Sequence, residues 1–346
     1  MTQPRFWLTM SLTAAAWLTT VPAEDSMGDD QQKTIRAGMI GLDTSHVPSF
    51  AKMINDPQAK GDLRSLQVVA GYPGGTDFEP SATRVARFTQ ELRDMGIKIA
   101  DTIPALLNQV DVVLLESVDG RIHWDEAKQV ILAGKPLFID KPFAGSLAEA
   151  VAIVELAKRH SVPCFSSSSL RFSKEVQQAR HSSEIGKVMG CATWGPCTIQ
   201  ETIPDLFFYG VHGVEALFTI MGPGCQSVTR THTDDWELVT GVWNDGRIGT
   251  YRGIRQGQAT FGGMVFGEAG IVRVGRSGGH RPLVERVATF FRTGESPVPV
   301  RETIEIFAFM EAADRSKLQG GVPVTIESEL AQARSEAKRM IADLER

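Results

Sequence analysis

The chain is predicted to be an α/β protein, with a Rossmann-like doubly wound parallel sheet followed by an α+β domain carrying an open, mainly antiparallel sheet. Three observations predict this. From residue 34, short apolar runs alternate with amphipathic helical stretches, the pattern of parallel strands joined by right-handed crossovers. Beyond about residue 145 that alternation gives way to strand-like runs separated by turn residues. A length of 346 residues at 42% apolar composition is enough to bury two such layers.

The elements follow in order. Arg5, the apolar run FWLTMSLTAAAWLTTV and the small-residue site ending at Ala23 read as a signal peptide over residues 1–23. The run is short for a bilayer-spanning helix, and no arginine pair precedes it. Export to the periplasm or beyond is therefore expected, with no membrane association after cleavage. Residues 24–33 form a polar linker, and residues 34–144 the first domain. There IRAGMIG is a buried strand, SFAKMIND opens a helix, and LQVVAGY is a second strand. SATRVARFTQELRDMG places Val85, Phe88, Leu92 and Met95 on one helical face, with Gly96 as its stop. DVVLLES and KPLFID are two further strands around a helix that ends at Gly134. The second domain, residues 145–346, begins with the helix SLAEAVAIVELAKRH. Strand-like runs continue from Gly190, with a hairpin signal at Asn244, Asp245 and Gly246, and helices from TIEIFAFMEAAD close the chain.

Composition narrows the partners. A net charge of −5 with no long basic run excludes a nucleic-acid surface of the usual kind and leaves a small molecule as the natural ligand. Cys164, Cys191, Cys197 and Cys225 show no CxxC spacing and read as buried free thiols.

The stretch LFIDKPFAGSLAEA resembles the glucose-fructose oxidoreductase and inositol dehydrogenase family (Gfo/Idh/MocA), whose Glu-Lys-Pro tripeptide is matched by Asp140, Lys141 and Pro142. SVDGRIHWDEAKQVILAGKP is similar to the family's preceding strand-to-helix segment, with His123 at its histidine. FYGVHGVEALFTIMG resembles its Asp-x-Gly-x-His-x-x-Asp helix through Gly210, His212 and Glu215, and LRF, ending in Arg171 and Phe172, resembles another family element. The resemblance covers nearly the whole mature chain. It implies hydride transfer to or from NAD or NADP at a carbon of a sugar, polyol or keto-sugar. Lys141, His212 and Tyr209 would be the catalytic groups, and Gly41, Asp43, His46, Tyr72, Ser117, His123 and Asp140 would line the cofactor site. It further implies pairing into a homo-oligomer through the second sheet.

The chain departs from the family at three places. The Gly-x-Gly-x-x-Gly phosphate loop reads Gly41, Asp43 and His46, placing a carboxylate where an anionic ligand would dock. One like-charge pair at about 4 Å costs roughly 4 kcal/mol at an effective dielectric of 20. Tyr72 stands where an acid normally binds the ribose, and Phe208 replaces the aspartate four residues before His212. Asp43, Thr44, Ser45 and His46 therefore have two readings: a capping and turn cluster, or a loop turned to substrate. A metal set from Asp43, His46 and His123 is conceivable, but nothing in the spacing demands it, and the chain is read without a metal. Arg171, Ser168 and Ser169, in FSSSSLRF, are candidate sugar ligands; a surface ion pair is the alternative for the arginine. Two other functions stay open beside the oxidoreductase: a redox-free lyase or hydrolase using the same cleft, and a non-catalytic carbohydrate-binding protein.

Overall fold

A computed structural model describes residues 34–181, 183–275 and 278–344. The export signal and linker expected over residues 1–33 lie outside the described residues. The first layer starts with β1 (Ile35–Ile40), α1 (His46–Ile54), β2 (Leu66–Tyr72), α2 (Glu79–Ala82), α3 (Val85–Asp94), β3 (Lys98–Ile99) and α4 (Ile103–Leu107). It continues with β4 (Val112–Leu115), α5 (His123–Leu132), β5 (Leu137–Ile139), α6 (Leu147–Arg159) and β6 (Cys164–Ser166). The six strands run parallel in the order β3-β2-β1-β4-β5-β6. Strand order reverses between β1 and β4, the point outside whose carboxyl ends open α/β sheets bind their ligands.

The strands are apolar on both faces because both faces are covered. Ala37, Met39, Val68, Val112, Leu114 and Phe138 point to one side, where they meet Val47, Phe50, Ala51 and Ile54 of α1, spaced i, i+3, i+4 and i+7. Ile40, Ala70, Val113, Leu115, Leu137 and Ile139 point to the other, beneath α4, α5 and α6. Asn55, just past α1, fixes the helix to β2 by exchanging two hydrogen bonds with the Val68 backbone, at 2.9 and 2.8 Å.

The second layer contains α7 (Lys174–His181), β7 (Val188–Pro196), α8 (Asp205–Phe208), α9 (Gly210–Met221), β8 (Cys225–His232), β9 (Trp236–Trp243) and β10 (Ile248–Ile254). After these come β11 (Gly262–Gly267), β12 (Ile271–Val274), α10 (Arg281–Thr293), α11 (Val300–Leu318), β13 (Val324–Thr325) and α12 (Ile326–Leu344). Its seven strands are ordered β12-β11-β7-β10-β9-β8-β13. Only the β7–β10 pairing is parallel among the described strands; the rest are antiparallel, as expected. The predicted turn at 244–246 joins β9 to β10. Helix α9 lies on β7 and β10, so closely that a Cβ on Gly213 would come within 2.2 Å of the Tyr251 ring.

Two features tie the layers together. The parallel sheet runs past residue 144, where the sequence places the domain boundary, to take its sixth strand from Cys164–Ser166. Helix α10, which the sequence pattern did not reveal, inserts Leu283, Val284, Val287, Phe290 and Phe291 into the same core as α1. Each such side chain contributes about 1.5–3 kcal/mol on burial. All four cysteines are free thiols. Among the described residues, no helix is long and apolar enough to cross a membrane.

Candidate active site

The carboxyl ends of β1, β4, β5 and β6 bring Gly41–His46, Glu116–Asp119, Asp140–Lys141 and Ser167–Ser168 to the crevice. The amino-terminal turn of α9 and the residue before α10 complete it. Lys141 follows β5, is joined to Pro142 by a cis peptide and is nearly buried. Its Nζ stands 5.4 Å from the centre of the Tyr209 ring and 5.9 Å from that of Phe208. The Tyr209 ring in turn meets His212 at a centroid distance of 5.6 Å. The amine and imidazole paired in the sequence thus share one aromatic wall.

Their surroundings set their protonation. Burial draws the Lys141 pKa down, with Asp140 opposing and Arg84 assisting. Burial first, and then the charge of Lys141, hold His212 well below its ordinary value, so its imidazole is neutral. The Ser168 Oγ lies 2.7 Å from His212 Nδ1 and already accepts the Leu170 N–H at 3.2 Å. The serine hydroxyl then donates to Nδ1, which leaves the ring hydrogen on Nε2. Glu215 fixes this serine by accepting the Ser168 N–H at 2.7 Å, the Ser167 hydroxyl at 2.6 Å and the Arg171 Nε–H at 2.6 Å.

A second constellation adjoins the first. His46 Nδ1 is 2.5 Å from Asp140 Oδ2, and the His46 ring stacks on Phe50 and meets His280 at 4.4 Å. Glu116, at the end of β4, has no solvent exposure. Among the described residues neither of its carboxylate oxygens has a hydrogen-bond partner, nor has Asp140 Oδ1 or His280 Nδ1. A buried polar group left unpaired costs about 1–3 kcal/mol. Burial, then Asp140 and Asp43, push the Glu116 pKa well up. Burial pushes Asp140 the same way, but the charge and hydrogen bond of His46, with help from Lys141, bring it below the usual carboxylate range. His280 is lowered by burial and then by His46.

Several residues expected in the cleft have other duties. Asp43 neither caps α1 nor faces the crevice; fully buried, it accepts the Val118 N–H at 2.8 Å and the Ser81 hydroxyl at 2.5 Å. Its charge is therefore kept from an incoming anion, which removes much of the repulsion inferred from the sequence. Gly41 is indispensable for packing, since its φ is 80° and a Cβ there would lie 2.0 Å from Ser117 Oγ. The Ser117 hydroxyl donates to Glu126 at 2.6 Å, and buried His123 bonds the Ser117 carbonyl through Nε2 at 2.8 Å. Both brace the loop after β4. Tyr72 packs against the core and caps its strand. Arg171 is not an open sugar ligand, because Glu215 and Glu302 hold it at 2.6 and 2.5 Å in the interior. The Ser168 hydroxyl is committed to His212, and Ser169 is buried in the 3-10 turn over 169–172. Two residues escaped the sequence reading. Glu116 carried a usable signal, an acid closing a strand at the reversal of strand order, whereas His280 arrives from 140 residues after Asp140 through the packing of α10.

The carboxyl-end cluster has an uncapped helix start at one end and is bridged by hydrogen bonds at the other. Ser45, at the N-cap of α1, makes no side-chain cap, and Thr44 Oγ1 reaches the His46 N–H only at 3.4 Å, so this helix start can receive an anion. At the ribose end, Thr76 donates to Asp119 at 2.9 Å and Ser81 to Asp43. Because Thr76 follows β2 and Asp119 follows β4, their bond spans the carboxyl end of β1, over the adenosine side of the crevice.

Comparison with known proteins agrees with this layout. Residues 35–168 match the family model GFO_IDH_MocA, described as an oxidoreductase family with an NAD-binding Rossmann fold. No curated protein sequence matches significantly. Among solved structures, scyllo-inositol dehydrogenase from Lactobacillus casei, crystallised with NAD(H) and scyllo-inositol, is 11% identical and superposes with a TM-score of 0.71, covering 85% of this chain and 100% of that one. Myo-inositol 2-dehydrogenase from Lactobacillus plantarum is 16% identical with a TM-score of 0.70, covering 85% of this chain and 99% of that one. At such identities the likeness is one of fold, and it extends across both layers. The family model is matched through the Rossmann sheet as far as Ser168, so residues 35–168 are similar to the NAD-binding Rossmann domain of the Gfo/Idh/MocA oxidoreductases.

Proposed function

We propose that the protein oxidises or reduces a hydroxyl-bearing carbon of a sugar, polyol or keto-sugar, with NAD or NADP as its partner in hydride transfer. The observation that carries this reading is the convergence of Lys141 and His212 on Tyr209 at the carboxyl end of β5. A hydroxyl that loses hydride must also lose its proton, and a lysine amine depressed by burial is suited to take it. Neutral His212, oriented by Ser168, presents Nε2–H as a hydrogen-bond donor to the same or a neighbouring oxygen. The start of α1, at Thr44 and Ser45, would hold the pyrophosphate. When bound, the nicotinamide supplies the hydride acceptor or donor. The inositols named for the structural neighbours make cyclic polyols the first substrates to try.

The test is an assay of nicotinamide reduction and oxidation over a panel of inositols, aldoses and their keto forms, alongside titration with NAD and NADP. Turnover of one polyol, lost in Lys141→Met, is the expected result. The hydrogen bonds that close the adenosine side favour one second reading, a redox-free proton transfer by the same Lys141 and His212. Absence of binding by either dinucleotide would abandon the first reading for that one. Export is proposed from residues 1–23 alone, and cell fractionation with amino-terminal sequencing tests it. A homo-oligomer is proposed from the exposed apolar row on the second sheet, Val242, Ile248 and Phe266.

A further inference from the structure

We infer that His46, Glu116 and Asp140 form a binding site for a divalent first-row transition-metal ion, beside the Lys141 amine. One ligand atom from each of the three lies within 4.8 Å of the others, close enough to close on a single ion. An acidic cluster alone would not carry the assignment. The unpaired atoms do: both oxygens of Glu116 and Oδ1 of Asp140 are buried without a hydrogen-bond partner among the described residues. A carboxyl kept merely neutral in the interior still needs an acceptor for its hydrogen and a donor for its carbonyl oxygen, and Glu116 has neither. A cation held by one ligand atom from each of the three residues gives the Glu116 carboxylate the partner it lacks.

The donor set chooses the ion. Two carboxylates with one imidazole are too nitrogen-rich for calcium or magnesium and too hard for copper(I), which leaves the manganese-to-zinc series. His280 is placed to add a second imidazole: its ring lies 4.4 Å from that of His46, and its Nδ1 is likewise unpaired among the described residues. Asp140 Oδ2 and His46 Nδ1 now share a hydrogen at 2.5 Å. The ion takes that position, and the displaced proton is released to solvent. This set differs from the one conceivable in the sequence, because Asp43 and His123 are bound to Val118, Ser81 and Ser117. The site stands independently of the redox reading, although the vicinal oxygens of a polyol are ligands such an ion accepts.

The full chain, stripped with chelator and checked for intact melting behaviour, is titrated calorimetrically with Zn2+, Mn2+ and Mg2+ in two buffers of different ionisation enthalpy. The expected result is one Zn2+ or Mn2+ per chain, with proton release and clear preference over Mg2+. Glu116→Gln preserves shape and should weaken binding at least tenfold, about the least that loss of even an outer-sphere partner costs. His280→Ala should weaken it less. Cobalt(II) absorption supplies a second readout, with ligand-field bands present in the native chain and lost in Glu116→Gln. Stoichiometric binding that Glu116→Gln leaves unchanged, affinity for Mg2+ equal to that for Zn2+, or no uptake by the folded native chain would each overturn the assignment.

Discussion

Lys141 and His212 illustrate how much of this site's chemistry is set by burial. Both lose affinity for protons because the charged form is poorly solvated, and the charge of Lys141 lowers His212 further. The sign follows for the alcohol-oxidising direction. The useful form of Lys141 is the free amine, so turnover rises with pH through the lysine's pKa, which lies below the ordinary lysine value. A pH profile of kcat/KM for a turned-over polyol should show one ascending limb displaced below the ordinary lysine range, absent in Lys141→Met, with a rate loss of about 10²–10⁴-fold. Ser168 acts through His212 as a positioning residue. Ser168→Ala removes the hydroxyl's bonds to His212 and to the Leu170 N–H, and the first, worth about 0.5–1.5 kcal/mol, orients the imidazole, so kcat should fall by up to about tenfold with KM little changed. Ser168→Thr, which keeps the hydroxyl, should recover much of that loss.

At the level of elements, the loop after β2 and helix α10 decide access and shape. Thr76 and Ser81 tie that loop across β1 to Asp119 and Asp43, and a dinucleotide must exchange these bonds for its own. Thr76→Val should therefore raise NAD affinity several-fold in fluorescence titration, since one neutral-to-charged hydrogen bond is worth about 1.5–3 kcal/mol and only part of it opposes binding. Helix α10 spans the two layers, and Phe290→Ala should cost about 3–5 kcal/mol in denaturant unfolding. These two elements also mark where the sequence stopped being legible. Strands such as DVVLLES and helices stopped by Gly96 and Gly134 declare themselves through local periodicity and turn chemistry, and so does the position of Lys141 at a strand end. Helix α10 had local signals too, Pro282 at its start and left-handed Gly294 at its end, but its partners, from α1 to Phe165 of β6, are distant in sequence and lie in the first layer. The direction of the Asp43 side chain is likewise a tertiary fact. A carboxylate in a phosphate loop reads as an obstacle until Val118 and Ser81 are seen to absorb it.

For the molecule as a whole, we propose that the second sheet sets the state of assembly. Helices α9 and α11 cover one of its faces. On the other, the register aligns Val242 of β9 with Ile248 of β10, then Gly190 of β7 and Phe266 of β11, so their side chains form one row. Val242, Ile248 and Phe266 remain 39%, 54% and 41% exposed. Beyond the row of Thr240, Thr250 and Ala192, the same face carries Leu238, Arg252 and Trp194, where Leu238 is 41% exposed. A surface that mixes such exposed apolar side chains with Thr240, Thr250 and Arg252 is one that a second copy of the same sheet can cover. Each large apolar side chain removed from water contributes about 1.5–3 kcal/mol, roughly one to two factors of ten in dissociation constant, against the fixed cost of association. The double substitution Ile248→Asp and Phe266→Asp places two like charges in the same row and should convert an oligomer to a monomer in light scattering after gel filtration. Both side chains face outward and the inner face keeps its packing against α9, so far-ultraviolet circular dichroism should stay unchanged. The active-site cluster of Lys141, His212 and Tyr209 draws no described side chain from this row, so an oligomer broken here should retain the pH profile of turnover even as its mass falls.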